Sequence, residues 1–72
     1  MPDALELLDV VALLRDEPAQ HLTRGQVGTI VERLAPDVYE VEFSDDQGRT
    51  YALVPVRADD LLRLHHQPVQ AA

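Results

Sequence analysis

At 72 residues the chain has room for one domain and one thin core, which leaves no depth for a large substrate cleft. Hydrophobic residues make up 46%, too many for a disordered chain, but aromatics only 4%, so the core must be aliphatic. Thirteen acidic residues against six arginines and no lysine give a net charge of −7, which works against any partner gripped through phosphates.

The chain opens on an N-terminal extension, residues 1–8, in which Leu5, Leu7 and Leu8 fit either a helical turn over one mouth of the fold or a continuation of the first strand. Asp9 to Leu14, rich in valine and leucine, predicts a strand with Val11 and Leu13 inward. Arg15 to Arg24 is too polar, and too broken by Pro18, for anything but a long loop. Gln26 to Leu34 is the second strand. Gly25 and Gly28 at its entry suggest a turn or a close backbone approach that side chains would obstruct. Val38 to Ser44 is the clearest element: Tyr39, Val41 and Phe43 alternate with Glu40, Glu42 and Ser44 at period two, the pattern of a half-buried strand.

Asp45-Asp46-Gln47-Gly48 then reads as a type I turn with glycine in the left-handed position, which makes a hairpin with the fourth strand, Arg49 to Val56. Ala58-Asp59-Asp60 predicts a short helical turn before a last strand, Leu61 to Leu64, and residues 65–72 read as a tail. Five short strands cannot cover the apolar face of a flat sheet, but curling into a small closed barrel with sequential antiparallel pairing hides it. The expected architecture is all-β: a five-stranded SH3-like, KOW-like barrel over residues 9–64, its core drawn from Val11, Leu13, Val31, Tyr39, Val41, Phe43, Ala52, Val54 and Leu61.

Asp9-Val10-Val11, the run Arg24-Gly25-Gln26-Val27-Gly28-Thr29-Ile30-Val31, Tyr39-Glu40-Val41-Glu42-Phe43, Gly48-Arg49-Thr50 and Leu61 together resemble the bacterial domain-of-unknown-function family 4926, over roughly residues 8 to 64. The Arg-Gly-Gln-Val-Gly-Thr segment is also similar to the glycine turn of KOW-type modules, a signal of fold rather than of ligand. The family resemblance implies a small stand-alone protein of unassigned role, a toxin-neutralising or accessory one among the options. It carries no catalytic residues to transfer.

The residues offer little for catalysis. There is no cysteine, hence no thiolate chemistry and no disulfide framework. His65 and His66, adjacent on an extended chain, point to opposite sides rather than to one ion, and His21 lies in a separate loop. Asp45-Asp46 and Asp59-Asp60 lack the spacing of a calcium loop and suit turns and caps instead. Ser44, Thr23, Thr29 and Thr50 sit in no nucleophile elbow, and Gly25 to Gly28 lacks the third glycine of a phosphate cradle. No enzyme, cofactor or metal is expected. Without a membrane-length apolar run or a cationic leader, the expected location is the cytoplasm.

What remains is the outward face of the third strand. A three-residue loop Ala35-Pro36-Asp37 would set Val31 opposite Val41 and Thr29 opposite Phe43 inside, with Glu32 opposite Glu40 and Ile30 opposite Glu42 outside. A four-residue loop Asp45 to Gly48 would set Ala52 opposite Val41 and Thr50 opposite Phe43, leaving Tyr51 and Leu53 outside beside Glu42 and Glu40. A one-residue slip would instead bury Tyr51 and Leu53. The expectation is a protein-binding module whose basic partner meets Glu32, Glu40, Glu42, Tyr51 and Leu53. The alternative is a KOW-like accessory domain for RNA or ribosomal assemblies, using Arg24, Arg33 and Arg49 if the fold gathers them. Partner identity, biological process and oligomeric state have no sequence signal.

Overall fold

In the computed structural model, which describes residues 5–65, the alternation of the third strand is realised residue by residue: Tyr39, Val41 and Phe43 are buried in β3 (Val38–Ser44), and the residues between them are not. The other strands are β1 (Val10–Leu13), β2 (Val27–Ala35), β4 (Thr50–Arg57) and β5 (Leu61–Arg63). They form one antiparallel sheet in the order β4-β3-β2-β1-β5, with 3-10 turns at Pro18–Gln20 and Ala58–Asp60. The all-β class, the five strands, the sequential pairing of β1 to β4 and the turn before the last strand agree with the expectation, whereas β5 pairs with β1 instead of its chain neighbour β4. The difference is that no ladder joins β4 to β5 among the described residues, so the sheet is curled but open.

Chain length enforces the curl. β4 ends at Arg57 on one edge of the sheet and β5 begins at Leu61 on the other. Four Cα steps reach at most about 15 Å, whereas the edges of a flat five-stranded sheet stand about 19 Å apart. Bending brings them together, and backbone bonds fix the crossing: Ala58 N–H donates to the Asp37 carbonyl at 2.8 Å and Leu14 N–H to the Asp60 carbonyl at 2.8 Å. Inside the curl lies a single cluster of Val11, Leu13, Ile30, Tyr39, Val41, Phe43, Val54, Val56 and Leu61, with Leu22 added from the long loop.

Leu22 enters because the loop folds back on itself: Glu17 and Leu22 exchange two backbone bonds of 2.9 and 3.1 Å across the Pro18 turn, and the leucine side chain is driven into the core. At Gly28 the backbone of β2 lies close against β3. A Cβ there would lie 2.7 Å from Val41 Cγ1, 2.9 Å from the Glu42 carbonyl oxygen and 2.9 Å from Phe43 Cδ1. The glycine therefore lets the second strand lie flush on the Phe43 ring.

Three expectations are corrected. Val31 is exposed and Ile30 takes its place in the core, because β2 carries a bulge at Val31 that puts Ile30, not Val31, opposite Val41. Val54, not Ala52, faces Val41, and Ala52, not Thr50, faces Phe43. Two one-residue changes cause this: Asp45 and Arg49 close a tighter turn, with Asp45 N–H donating to the Arg49 carbonyl at 2.9 Å, and Tyr51 is an extra residue in β4. Residues 1–4 lie outside the described residues, and the rest of the N-terminal segment does not continue β1. It makes a tight turn at Leu7 and Leu8, where Leu8 has φ +70° and donates its N–H to the Ile30 carbonyl at 2.7 Å. Leu5 packs against the core, and its carbonyl accepts the Tyr39 hydroxyl at 3.3 Å. Of the expected tail only His65 falls within the described residues, as does the whole of the last strand, which ends at Arg63 rather than Leu64.

Candidate functional site

Residues on the convex side of the sheet fall into rows set by the strand registers. One row runs Glu32, Glu40, Pro55 across β2, β3 and β4, and the next runs Thr29, Glu42, Leu53. The expected Glu32–Glu40 opposition is present in the register, although the bulge at Val31 moves Ile30 inward and leaves Thr29, expected inside opposite Phe43, facing Glu42. Directly opposed side chains have Cβ atoms about 5 Å apart, so the two carboxylates repel each other across the strands. Glu42 is held by the Thr50 hydroxyl, which donates to it at 2.8 Å.

The arginines are spent elsewhere. Arg49 pairs with Asp45 at 3.1 Å, Arg57 with Asp59 at 3.6 Å, Arg15 with Glu17 at 3.9 Å and Arg63 with Asp9 at 3.3 Å. Among the described residues no ion pair reaches Glu32, Glu40 or Glu42. The three arginines considered for RNA are not brought together. Arg33 braces the β2–β3 turn, its guanidinium donating to the Ala35 and Pro36 carbonyls at 3.3 Å each, whereas Arg49 sits in the β3–β4 turn at the other end of β3. The length of β3, about 20 Å, separates those two turns. Arg24 belongs to the long loop, where its backbone N–H donates to the Asp16 carboxylate at 2.8 Å.

Leu53 is 52% exposed on the outer side, as the alternation implies, but stands opposite Glu42 rather than Glu40. Tyr51 is 50% exposed but tied down: its ring centroid is 6.4 Å from that of Phe43, and its hydroxyl accepts from the Gln26 side-chain amide at 3.1 Å. The bulge makes Tyr51 a bridge between β4 and the long loop, which the simple hairpin register does not show. Asp45 anchors the neighbouring turn, accepting from the backbone N–H groups of Gln47 and Arg49 and from the Arg49 guanidinium, and these bonds, the Arg49 backbone bond foremost, hold its carboxyl below the ordinary value of 3.8.

His21 and His65 are exposed and separate, and no cluster of three metal-ligating side chains occurs among the described residues. No helix of the described residues is long and apolar enough to cross a membrane. Comparison with curated proteins and with solved structures gives no match. The model of one family does match, described as a domain of unknown function (DUF4926), over residues 7–63; it takes in all five strands, both bulged hairpins and the Glu32–Glu40 row, and the chain belongs to that family.

Proposed function

We propose that this chain is a non-enzymatic binding module that takes a basic protein segment on the acidic outer face of β3. The observation that carries the reading is the register pair Glu32–Glu40, with Glu42 in the next row and no arginine paired to any of the three among the described residues. Such an arrangement costs stability in the free protein and is relieved by a guanidinium or ammonium group laid between the carboxylates. The dispersal of Arg24, Arg33 and Arg49 supports a protein partner over RNA. In the same reading the module works in the cytoplasm, with an accessory or toxin-neutralising role for the complex it forms.

The test compares wild type with Glu40→Lys plus Glu42→Lys, both immobilised, against extract of the native cell at low and high salt. The proposal expects a discrete protein retained by wild type, released as salt rises and absent from the charge-reversed variant. A protein retained equally by both forms, or RNA as the retained species, refutes it.

A further inference from the structure

The outer face holds more than acid. Along β1, Val11 and Leu13 point into the core, so Val10 and Ala12 point outward; yet Ala12 is only 9% exposed and lies outside the core cluster. Its burial comes from its neighbours on the convex side, Leu62 of β5 and Val27 of β2, which stand directly opposite it on either hand and are themselves half exposed. Leu62, Ala12 and Val27 thus make an apolar row across three strands. The next row runs Val10, Thr29, Glu42, Leu53, half apolar and half polar, and the third is Glu32, Glu40, Pro55. Adjacent rows are two residues apart along a strand, about 7 Å. Across about 14 Å the surface passes from aliphatic to acidic.

We infer that this graded face is one docking site, and that its occupant is a segment carrying aliphatic side chains within about 14 Å of lysine or arginine, the aliphatic end over Leu62, Ala12 and Val27 and the basic end over Glu32, Glu40 and Glu42. This rests on the reading of the acidic face given above and adds the chemistry of the rest of the partner. Charge complementarity selects the occupant: a second copy of a chain with net charge −7 brings the same carboxylates to the interface, and a phosphate-bearing ligand meets them head on. A purely basic, polar segment leaves the apolar row uncovered.

The experiment uses two synthetic peptides of equal charge, LVLGKKK and STSGKKK, titrated into the labelled protein while backbone amide resonances are followed. Covering the exposed halves of Leu62 and Val27 makes the aliphatic peptide bind about tenfold tighter. Its shifts extend from β3 to Ala12 and Leu62, while those of the polar peptide stay near Glu32, Glu40 and Glu42. Leu62→Ser and, separately, the near-isosteric Val27→Thr remove the advantage, and both positions are exposed enough to spare the fold. Equal affinity of the two peptides, or indifference to both variants, overturns this inference and leaves the acidic-face reading standing. Binding of neither peptide overturns both. A concentration-dependent dimer abolished by Leu62→Ser makes a second copy the occupant and overturns the inference as stated.

Discussion

The two hairpins that share β3 break the simple pairing rules in different ways. In the β3–β4 hairpin the turn tightens by one residue and Tyr51 bulges by one, so the register moves by two: Thr50, between turn and bulge, changes side to stand opposite Ser44 and bond Glu42, while from Ala52 onward each side chain keeps the face its alternation implies. In the β2–β3 hairpin the turn also closes one residue tighter, at Ala35–Val38, and a bulge at Leu34 cancels it, but a further bulge at Val31 is left over. That single uncompensated residue turns over the part of β2 before it, sending Ile30 into the core and Val31 out. Parity, not the size of the slip, decides what is buried.

The sharpest way to break this contrast is to exchange the roles of Ile30 and Val31. Ile30→Ala is expected to cost about 2 to 5 kcal/mol by creating a cavity in the centre of the cluster, and Val31→Ala at most about 0.5 kcal/mol. Urea unfolding of the pair measures both, and similar losses would place the bulge elsewhere. Gly28→Ala follows, at about 1 to 3 kcal/mol, because the Val41 side chain and the Glu42 carbonyl must give way to a Cβ. Gly48→Ala isolates the other kind of glycine: nothing crowds its Cβ position, but φ is +79°, and the expected loss is about 1 kcal/mol of backbone strain. Swapping the order of those two losses would mean that β2 and β3 are less closely apposed.

On β4 the comparison narrows to two half-exposed residues. Tyr51→Ala is expected to cost about 1 kcal/mol by losing its contact with Phe43 and its bond from Gln26, while Leu53→Ser stays within about 0.5 kcal/mol. Thermal melts rank them, and a silent Tyr51→Ala would mean that the bridge to the long loop is ornamental. The smallest effect is a pH dependence. Asp45 has its folded pKa lowered, so its contribution is full above the ordinary carboxylate value of 3.8 and is lost as pH falls through the lower folded value. The melting-temperature gap between wild type and Asp45→Asn therefore shrinks under acid below about pH 4, and a gap that widens there contradicts the sign.

Why β3 was legible and β2 was not can be stated from the residues. Tyr39-Glu40-Val41-Glu42-Phe43 alternates strictly, and one face is the only choice. Thr29-Ile30-Val31 offers three consecutive β-branched residues, any of which suits either face, and the choice falls to a bulge that no local pattern announces. Leu22 was hidden for another reason: it sits in a polar loop, and its burial depends on the fold-back at Glu17. Of the candidate site, the Glu32–Glu40 opposition was readable because the turn and the Leu34 bulge offset each other. The apolar row was not, since it exists only where β1 is flanked by β5 and β2, partners about 50 and 15 residues away along the chain, and such long-range pairings leave no trace in local sequence.

The antiparallel contact of β1 with β5 also sets how the fold answers force. Val11 stands opposite Arg63 and Leu64 N–H donates to the Val10 carbonyl at 2.8 Å, so the place where the chain enters the sheet lies beside the place where it leaves. Tension applied between Asp9 and Leu64 loads those backbone bonds one after another, as a zipper is opened, instead of straining them all at once in shear. The short β5 peels away first under small loads, and the β2–β3–β4 meander, which carries none of the early tension, is left to open last.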